Sequence, residues 1–302
     1  MNAPAPLLPR LPAVRGEIKA DVPLKDTTWF KVGGAAEVLF QPADADDLAQ
    51  FFRRLPAEIP ATILGLGSNV IVRDGGIEGV VVRLGPLFRS IKVEEEIITV
   101  GAATVDSQVA RQAMTNGLAG LEFLSGIPGS IGGGLRMNAG AYGSEFKDVV
   151  IDALVVERLG KVRTITNAEL GFAYRHCGVP DDWVFLSARL KGKIGDKAEI
   201  TAKMQEISKA RTATQPVNTY TGGSTFANPD GKKAWELIEA AGCRGLKQGA
   251  AEVSEQHCNF LINTGKATAA DLETLGETVR SKVKEKAGVD LQWEIRRYGK
   301  PA

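Results

Sequence analysis

The hydrophobic positions of the chain follow two periods, one typical of strands and one typical of helices. Short apolar runs predict strands at residues 35–40, 62–64, 70–72, 80–82 and 96–100. Apolar residues three or four positions apart predict an amphipathic helix over 44–55, which ends at Pro56. The same spacing from Val105 onwards predicts a second helix that stops at Gly117, because glycine accepts the left-handed conformation that ends many helices.

The second half of the chain mixes the same two patterns. A hairpin is predicted from 152–157 and 162–166, followed by a strand at 183–190. Further helices are predicted over 197–211, 232–241 and 269–286, and further strands at 259–262 and 291–299. The helix over 269–286 begins with a capping box formed by Thr268 and Asp271. The polar segment 212–231, rich in glycine and threonine, is typical of a domain boundary.

Residues 117–143 form the most unusual stretch, with nine glycines in GLAGLEFLSGIPGSIGGGLRMNAGAYG. A long glycine-rich loop inside a compact domain is usually either functional or disordered. The interleaved leucine, isoleucine, phenylalanine, methionine and tyrosine residues argue against disorder. The pattern therefore predicts a functional loop.

Composition narrows the class of protein. Lys and Arg number 37 against 36 Asp and Glu, and this net charge of +1 argues against a general nucleic-acid binder, which needs excess cations. No apolar run approaches the roughly 20 residues that span a bilayer, so no membrane partner is expected. Three cysteines without a C-x-x-C pair predict reduced thiols in a cytoplasmic protein. No group of residues has metal-ligand spacing, so no metal is expected.

The first candidate binding site is the pentapeptide GLGSN between two short predicted strands. Gly65 and Gly67 let successive N–H groups approach a ligand oxygen, and Ser68 and Asn69 add polar side chains, which together suit a pyrophosphate. A dinucleotide-binding G-x-G-x-x-G turn is disfavoured, because Val70 stands in place of the third glycine and a strand follows. A tight hairpin turn is the alternative.

The second candidate binding site is the segment SGIPGSIGGG. Its candidate ligand-binding residues are Gly126, Ile127, Pro128, Gly129, Ser130 and Gly133. Two glycine- and serine-containing loops in one unit suit a long ligand with several oxygens, held in a cleft rather than on a helix N-terminus; a flexible hinge is the alternative. Asn138 and Gly140 continue the same surface, and Tyr142 is placed to lie near a ring system.

Three polar residues stand in settings that suggest catalysis. Ser224 follows two glycines, so it is either a catalytic serine or an ordinary serine of a turn. No G-x-S-x-G frame surrounds it, which disfavours a hydrolase. Arg175, in FAYRHC, suits either a substrate carboxylate or a structural ion pair. Glu294 alternates with Trp293 and Ile295, so it either lines a site or lies on an exposed strand face.

Seven stretches, taken in order, resemble the UDP-N-acetylenolpyruvoylglucosamine reductase family, also called UDP-N-acetylmuramate dehydrogenase. They are TTWFKVGGAAEVLF (27–40), LGLGSNVIVRDGGIEGVVVRL (64–84), GLEFLSGIPGSIGGGLRMNAGAYGSE (120–145), YRH (174–176), GGSTFANP (222–229), VSEQHCNFLIN (253–263) and WEIRRYG (293–299). No single motif is decisive, but their order and spacing cover nearly the whole chain. The NAGAYG form and the short C-terminal part resemble the family's shorter subtype, which lacks an additional tyrosine-bearing substrate loop.

The resemblance implies an α+β fold: a vanillyl-alcohol-oxidase-like FAD-binding fold of two subdomains plus a C-terminal substrate-binding α/β domain. The implied divisions are a loose leader over 1–18, FAD-binding subdomains over 19–85 and 86–211, and a substrate-binding domain over 212–302 whose terminal strand returns to the active site. The resemblance also implies a cytoplasmic, monomeric enzyme of peptidoglycan precursor synthesis, which serves cell-wall biogenesis, cell shape and cell division.

The implied reaction is the NADPH-dependent reduction of UDP-N-acetylglucosamine enolpyruvate to UDP-N-acetylmuramate through non-covalently bound FAD, held by the two glycine-rich segments. The family assigns catalysis to three matching residues. Arg175 stabilises negative charge developing on the substrate carboxylate, Glu294 when protonated hydrogen-bonds the same group, and Ser224 protonates the neighbouring carbon. The residues expected to bind the substrate are Tyr174, Tyr220 and Asn228.

Two positions depart from the family pattern. Thr214 stands where members carry the lysine of R-x-x-K-Q-P, and Ala227 stands where a basic residue often precedes Asn-Pro. A phosphate contact expected at the first position is therefore in question, and Tyr220, Asn228 or Lys247 are the candidates to replace it.

Two alternative functions are consistent with the sequence. The first is another FAD oxidoreductase of this fold with a different substrate; members with covalent flavin would need a His or Cys in the glycine-rich segments, which have neither. The second is a non-catalytic nucleotide-binding module, which predicts ligand binding without turnover.

Overall fold

The structure is a computed structural model that describes residues 6–302. Its α-helices are α1 (Ala45–Arg54), α2 (Asp106–Thr115), α3 (Ile131–Met137), α4 (Phe146–Val149), α5 (Lys197–Thr214), α6 (Ala234–Ala240) and α7 (Ala269–Ala287). Its strands are β1 (Glu17–Pro23), β2 (Ala35–Gln41), β3 (Ala61–Ile63), β4 (Val70–Val72), β5 (Ile77–Val82), β6 (Ile91–Glu94), β7 (Ile97–Gly101), β8 (Leu118–Ala119), β9 (Gly140–Ala141), β10 (Ser144–Glu145), β11 (Val150–Val156), β12 (Val162–Thr166), β13 (Val184–Lys191), β14 (Lys193–Ile194), β15 (Lys247–Gln248), β16 (Ala251–Val253), β17 (Leu261–Asn263) and β18 (Arg296–Tyr298). Short 3₁₀ helices lie at Leu8–Arg10, Lys25–Thr27, Pro86–Phe88 and Glu122–Gly126.

The chain divides into two compact units that are not continuous in sequence. Within the described residues, the first unit comprises 6–21, Glu37–Gly65 and Gly79–Lys209. The second comprises Val22–Ala36, Leu66–Glu78 and Ala210–Ala302. Two short N-terminal segments therefore belong with the C-terminal third of the chain, an association that no sequence pattern predicted.

The first unit contains a four-stranded sheet, in the order β1-β2-β5-β3, with α1 packed against it. Strands β3 and β5 are parallel, so their carboxyl ends lie at the same edge. Every second residue of β2 is buried, and Phe40 packs on Phe51 of α1 with ring centroids 4.4 Å apart. Helix α1 begins after Asp44, whose side chain accepts a hydrogen bond from the Asp47 N–H, as the predicted helix requires.

A five-stranded antiparallel sheet, in the order β12-β11-β13-β7-β6, forms the rest of the first unit's framework. The predicted hairpin is confirmed as β11 and β12, with Val156 opposite Val162. Helices α2, α3 and α4 contribute Val109, Leu135 and Phe146 to the buried cluster on this sheet.

The second unit is built around α7 and a small antiparallel sheet, β15-β16-β17. The capping box is confirmed, because the Thr268 hydroxyl accepts from the Asp271 N–H and the Asp271 carboxylate accepts from the Thr268 N–H. The apolar face of α7 is buried with Phe30, Ile71 and Phe226, which come from all three segments of the unit. Strand β18 pairs in parallel with β4.

The glycine-rich stretch is not one continuous loop, which corrects the sequence prediction. It contains the 3₁₀ helix at Glu122–Gly126 and then α3, which includes all three consecutive glycines. A Cβ added to Gly134 would lie 2.2 Å from the Phe146 ring. Close packing of this ring therefore stabilises a helix at glycines whose intrinsic propensity disfavours one.

The closing strand is shorter than predicted, because only Arg296–Tyr298 pair with a neighbour. Trp293 packs on Phe226 with ring centroids 5.1 Å apart, and its indole N–H donates to Glu277 Oε1 at 2.8 Å. These contacts hold the segment before the strand in an irregular path.

The predicted loose leader falls partly on residues 1–5, outside the described residues. From Leu7 onwards the leader packs against the first unit, because Leu7 is buried and Leu8, Leu11 and Val14 contact the same cluster. Within residues 6–302, the longest helices are too polar or too short to cross a membrane.

Candidate active site

The first glycine-rich loop is fixed in a sharp turn within the second unit. Gly67 has a positive φ of 68°, and a Cβ there would lie 2.4 Å from the Thr27 carbonyl oxygen. The Trp29 N–H donates to the Gly67 carbonyl at 3.0 Å. Asn69 Nδ2 donates to the Glu294 carbonyl at 3.2 Å, so this loop lies beside the predicted catalytic glutamate.

The start of the first loop meets the second loop inside the first unit. A Cβ on Gly65 would lie 3.4 Å from Ser130 Oγ, and one on Gly133 would lie 3.8 Å from the same atom. Apart from the adjacent backbone, no other heavy atom of the described residues lies within 4 Å of either position. The Ser130 hydroxyl makes no hydrogen bond to the described part of the chain. The meeting point therefore offers a polar hydroxyl and open space next to two glycines.

Several other positions of the second loop are tied to neighbouring elements. The Ile127 N–H donates to the Leu124 carbonyl at 3.3 Å, and the Gly129 carbonyl accepts from the Asp106 N–H at 3.1 Å. A Cβ on Gly126 would lie 2.7 Å from the Tyr142 ring. Among the residues predicted here to bind a cofactor, Gly133 leaves the volume of its missing side chain open beside the buried Ser130 hydroxyl.

Asp106, which sequence reasoning missed, lies next to this loop at the start of α2. It is fully buried, and neither carboxylate oxygen has a hydrogen-bond partner among residues 6–302. Burial raises the pKa of the Asp106 carboxyl well above its ordinary value, so the neutral acid is favoured. Because the side chain is inaccessible, it does not line the open space beside Ser130.

Arg175 lies in a tight turn of the first unit that is tied to the NAGAYG segment. Its φ is +53°, and its Nη2 donates to the Gly140 carbonyl at 3.1 Å, while the guanidinium lies 5.0 Å from the Tyr174 ring centroid. Asn138 is fully buried, and its Nδ2 donates to the Ala173 carbonyl at 3.0 Å. Asn138, predicted as a cofactor contact, thus holds the turn that carries Arg175.

Ser224 is held by a network of backbone bonds in the second unit. It forms a β-bridge with Phe260, and the adjacent Thr225 N–H donates to the Asn259 carbonyl at 2.8 Å. The preceding Gly223 has a positive φ of 82° and open space where a Cβ would stand. The serine therefore stands beside an opening on an otherwise fixed backbone.

Glu294 joins this network although it lies 70 positions further along the chain. Its N–H donates to the Thr225 carbonyl at 2.9 Å. The Glu294 carbonyl accepts a hydrogen bond from Asn69 Nδ2. The second unit therefore brings Ser224, Glu294 and Asn69 into one neighbourhood, and the first unit brings Arg175 to Asn138 and Gly140.

The predicted substrate-binding residues lie at the surface. Tyr174 and Tyr220 are each about half exposed. Asn228 is exposed, and its Oδ1 accepts from the Ala234 N–H at 2.9 Å, where α6 begins. The Thr214 hydroxyl donates to the Ala210 carbonyl at 2.8 Å within its own helix, and Lys247 forms an ion pair with Glu252 at 3.4 Å.

The three cysteines are placed where their thiols react poorly. Cys177, Cys243 and Cys258 are all free and buried. Burial raises the pKa of each thiol, to about 11 for Cys258, so the reactive thiolates are scarce at neutral pH. Residues 6–302 contain no group of three His, Cys, Asp or Glu side chains able to hold a metal ion.

Two family models match the chain. Residues 215–298 match the C-terminal domain of UDP-N-acetylenolpyruvoylglucosamine reductase, and residues 36–166 match an FAD binding domain. A UDP-N-acetylenolpyruvoylglucosamine reductase of Parvibaculum lavamentivorans is 58% identical over 99% of this chain and 96% of its own length. One of Rhodospirillum rubrum is 55% identical over 99% and 95%. The chain belongs to the UDP-N-acetylenolpyruvoylglucosamine reductase family.

A solved structure supports the same assignment. The crystal structure of UDP-N-acetylenolpyruvylglucosamine reductase from Thermus caldophilus is 34% identical, with a TM-score of 0.82, and the match covers 95% of this chain and all of that one. The predicted α+β fold with its FAD-binding part is therefore confirmed. The chain is an FAD-dependent oxidoreductase of peptidoglycan precursor synthesis, with NADPH as reductant, and the non-catalytic alternative is excluded.

The residues of this reductase fit FAD at the place where the two loops meet. Gly65 and Gly133 leave the volume of their missing side chains open beside the Ser130 hydroxyl. A glycine backbone and a free hydroxyl suit phosphate oxygens, because both supply short-range donors without steric obstruction. We therefore expect Gly65, Ser130 and Gly133 to be among the residues that hold the cofactor.

Sequence reasoning missed the residues that position the site in this reductase. Asn259 binds both backbone groups of Phe226, through its Oδ1 at 3.0 Å and its Nδ2 at 2.9 Å. Asn263 Nδ2 donates to the Phe30 carbonyl at 2.8 Å. Both asparagines are buried, and their placement at each end of the apolar run NFLIN was the available signal.

Proposed function

We propose that the chain reduces UDP-N-acetylglucosamine enolpyruvate to UDP-N-acetylmuramate, with Ser224, Arg175 and Glu294 acting on the enolpyruvyl group. FAD, when bound, would supply the hydride for the terminal carbon of that group, with NADPH as its source. The side chains of this chain supply the proton and the electrostatic stabilisation. One hydride and one proton are thereby added across the carbon–carbon double bond.

Arg175 has the charge that this reaction requires. Addition of a hydride to the terminal carbon places negative charge on the neighbouring carbon and its carboxylate. A planar guanidinium that donates two parallel hydrogen bonds stabilises such a group more strongly than a neutral donor does. The tight turn and the Gly140 contact restrict the orientation of Arg175, which favours this role.

Ser224 is the proposed proton donor to the carbon next to the carboxylate. A hydroxyl is a weak acid, but the acceptor here is a strongly basic carbanion stabilised as an enolate, so the transfer is downhill. The backbone bond that joins the Ser224–Thr225 segment to Glu294, at 2.9 Å, is the observation that carries this proposal. It places a hydroxyl-bearing and a carboxyl-bearing residue from distant stretches next to each other.

Replacement of Ser224 by alanine tests the proton donor. We expect Ser224→Ala to bind FAD and to be reduced by NADPH at the normal rate, because neither step needs the hydroxyl. Product formation should fall by about 10³-fold, the scale of general-acid catalysis. Stopped-flow absorbance of the flavin measures reduction, and chromatography of the nucleotide sugars measures product.

Ser281→Ala is the matched control, because Ser281 is an exposed serine on α7 in the same unit. It should match the unmodified enzyme in both measurements. Normal product formation by Ser224→Ala would exclude the serine as donor. A loss of flavin reduction in that variant would instead indicate a structural role.

We also propose that the enzyme is a cytoplasmic monomer. We further propose that its chain divides into two FAD-binding subdomains and a substrate-binding domain, with boundaries at residues 85/86 and 211/212. Three buried, free cysteines support a reducing compartment. Light scattering of the purified enzyme across a hundredfold range of concentration tests the oligomeric state, and a dimer mass would contradict it.

A further inference from the structure

Several partly buried arginine side chains in this protein have a carboxylate partner. Arg73 pairs with Glu273 at 2.9 Å, and Arg189 pairs with Asp152. The partner raises the pKa of each of these guanidinium groups. Such pairing is the usual requirement when an arginine is even partly removed from water.

Arg83 departs from this pattern. It is half-buried directly after β5, and its guanidinium forms neither a hydrogen bond nor an ion pair within residues 6–302. Burial, and to a lesser extent repulsion by Arg89, lowers the pKa of Arg83. Arg89 is exposed and likewise has no carboxylate partner in the described part of the chain. Arg89 therefore lies close enough to Arg83 to repel it, and neither side chain has a carboxylate partner in the described part of the chain.

The backbone places Arg83 at the edge where the first glycine-rich loop begins. The Arg83 N–H donates to the Phe40 carbonyl at 3.0 Å, so the pairing of β5 with β2 continues to this residue. The Leu64 N–H donates to the Val82 carbonyl at 3.0 Å, so β3 also continues alongside. Because β3 and β5 are parallel, Arg83 and Gly65 leave the sheet at the same edge.

Side-chain alternation assigns Arg83 to a face of the sheet. Val80 and Val82 belong to the core that packs on α1. Successive side chains of a strand point to opposite faces, so Arg83 lies on the face away from that core, with Val81. Gly65, at this edge, is the residue whose added Cβ would lie 3.4 Å from Ser130 Oγ.

An anion beside these groups would satisfy both arginines. A half-buried cation without a partner is unfavourable, and a neighbouring like charge adds to the cost. A dianionic ligand would offset both charges and accept charge-assisted hydrogen bonds from them. The nearby Ser130 hydroxyl and open glycine positions provide the short-range donors that a phosphate also uses.

We propose that Arg83 and Arg89 form an anion subsite at the carboxyl edge of β3 and β5 that binds the diphosphate of FAD beside Gly65 and Ser130. The inference rests on the FAD dependence of the family and adds two residues to the cofactor site. Arg83 is the main contact because it is half-buried, and Arg89 adds charge from the surface.

Flavin release from the full-length holoenzyme tests the subsite. FAD fluorescence after serial dilution gives the dissociation constant of the unmodified enzyme, Arg83→Gln and Arg89→Gln. We expect at least about a tenfold weaker FAD affinity for Arg83→Gln and a smaller loss for Arg89→Gln. The same chains, stripped of flavin, should bind riboflavin equally well, because riboflavin has no phosphate. Inorganic pyrophosphate should compete with FAD less effectively in Arg83→Gln.

Arg111→Gln, which removes an exposed arginine of α2 in the same unit, is the matched control and should leave FAD affinity unchanged. Arg83→Lys keeps the charge and should retain part of the affinity. Equal losses for FAD and riboflavin would assign Arg83 a packing role and overturn the proposal. Unchanged FAD affinity with a raised KM for NADPH would assign the subsite to the NADPH phosphates and also overturn it.

This test is independent of the proposed catalytic roles. FAD affinity is measured without the nucleotide sugar, so a failure of the Ser224 proposal leaves its outcome unaffected. Conversely, Arg83→Gln saturated with FAD should regain product formation if the arginine acts through the cofactor alone.

Discussion

The turn that carries Arg175 and the segment that carries Ser224 are fixed in different ways. The Arg175 turn depends on one buried side chain, that of Asn138. Its Nδ2 donates to the Ala173 carbonyl and to Glu145 Oε2, and its Oδ1 accepts from the Lys147 N–H. The Ser224 segment is fixed mainly by backbone bonds of Thr225 to Asn259 and Glu294. Asn259 adds side-chain bonds to a segment that is already held.

This difference predicts which single substitutions will reduce the stability of the protein most. A side chain that joins three separate segments leaves several buried groups unpaired when it is removed. When the side chain that is removed only adds to backbone hydrogen bonds, those backbone bonds remain. We therefore expect the first unit to be more sensitive to the loss of its asparagine than the second.

Asn138→Ala should have the largest effect on stability. It leaves the Ala173 carbonyl, the Lys147 N–H and the Glu145 carboxylate without this partner in a buried setting. It also puts alanine at a positive φ of 39°. We expect the free energy of unfolding, measured by urea denaturation, to fall by about 3 kcal/mol.

The control for Asn138→Ala is Asn116→Ala, because Asn116 is exposed and its Nδ2 donates to only one described carbonyl, that of Gln112. Its loss should cost less than about 1 kcal/mol. Similar losses in the two variants would show that Asn138 does not hold the turn.

Asn259→Ala should destabilise the protein less than Asn138→Ala. It leaves the two backbone groups of Phe226 unpaired, but the Thr225 N–H still donates to the backbone carbonyl of residue 259. We expect a loss of about 2 kcal/mol by the same measurement. A loss larger than that of Asn138→Ala would reverse the comparison between the two regions.

Asp106→Asn provides a contrast with both asparagines, because the Asp106 carboxylate is buried and has no hydrogen-bond partner among residues 6–302. Its pKa is raised above 3.8 by burial, so the folded state holds the proton more tightly than the unfolded state does. Stability therefore falls as the pH rises from 3.8 towards the raised pKa. The uncharged asparagine avoids this loss, and we expect Asp106→Asn to be more stable by about 2 kcal/mol at pH 8.

Denaturation curves of Asp106→Asn and the unmodified protein between pH 4 and pH 8 measure the effect. The gap between them should narrow as the pH falls, since the aspartate becomes neutral in the unfolded state as well. A gap that is constant with pH would mean that Asp106 does not carry the raised pKa.

Local signals predicted the elements that local physics controls. Helix α7 followed from its apolar spacing and the Thr268–Asp271 capping box, and the β11–β12 hairpin from two apolar runs around a glycine turn. Helix α3 was not predictable, because its glycines disfavour a helix and its support comes from distant residues, such as the Phe146 ring against Gly134. The irregular path before β18 likewise depends on Trp293 contacts with Phe226 and Glu277.

The candidate site divides in the same way. Ser224, Arg175 and Glu294 were identified from motifs, since the family resemblance acts through residue identity and order. Their supports, Asn138 and Asn259, were not assigned that role, because a buried asparagine and an exposed one look alike in sequence.

The family, the cofactor class, most helices and strands, and the residues proposed to carry the chemistry could all be predicted from the sequence, because periodicity, caps and motif order are properties of the linear chain. Only the tertiary structure decided which segments belong to which unit, and that Gly65 meets Ser130. It alone also revealed that the side chains of Asp106 and Arg83 have no hydrogen-bond or ion-pair partner among residues 6–302. Burial and pairing depend on what distant parts of the chain bring to a residue, and no local pattern contains that information.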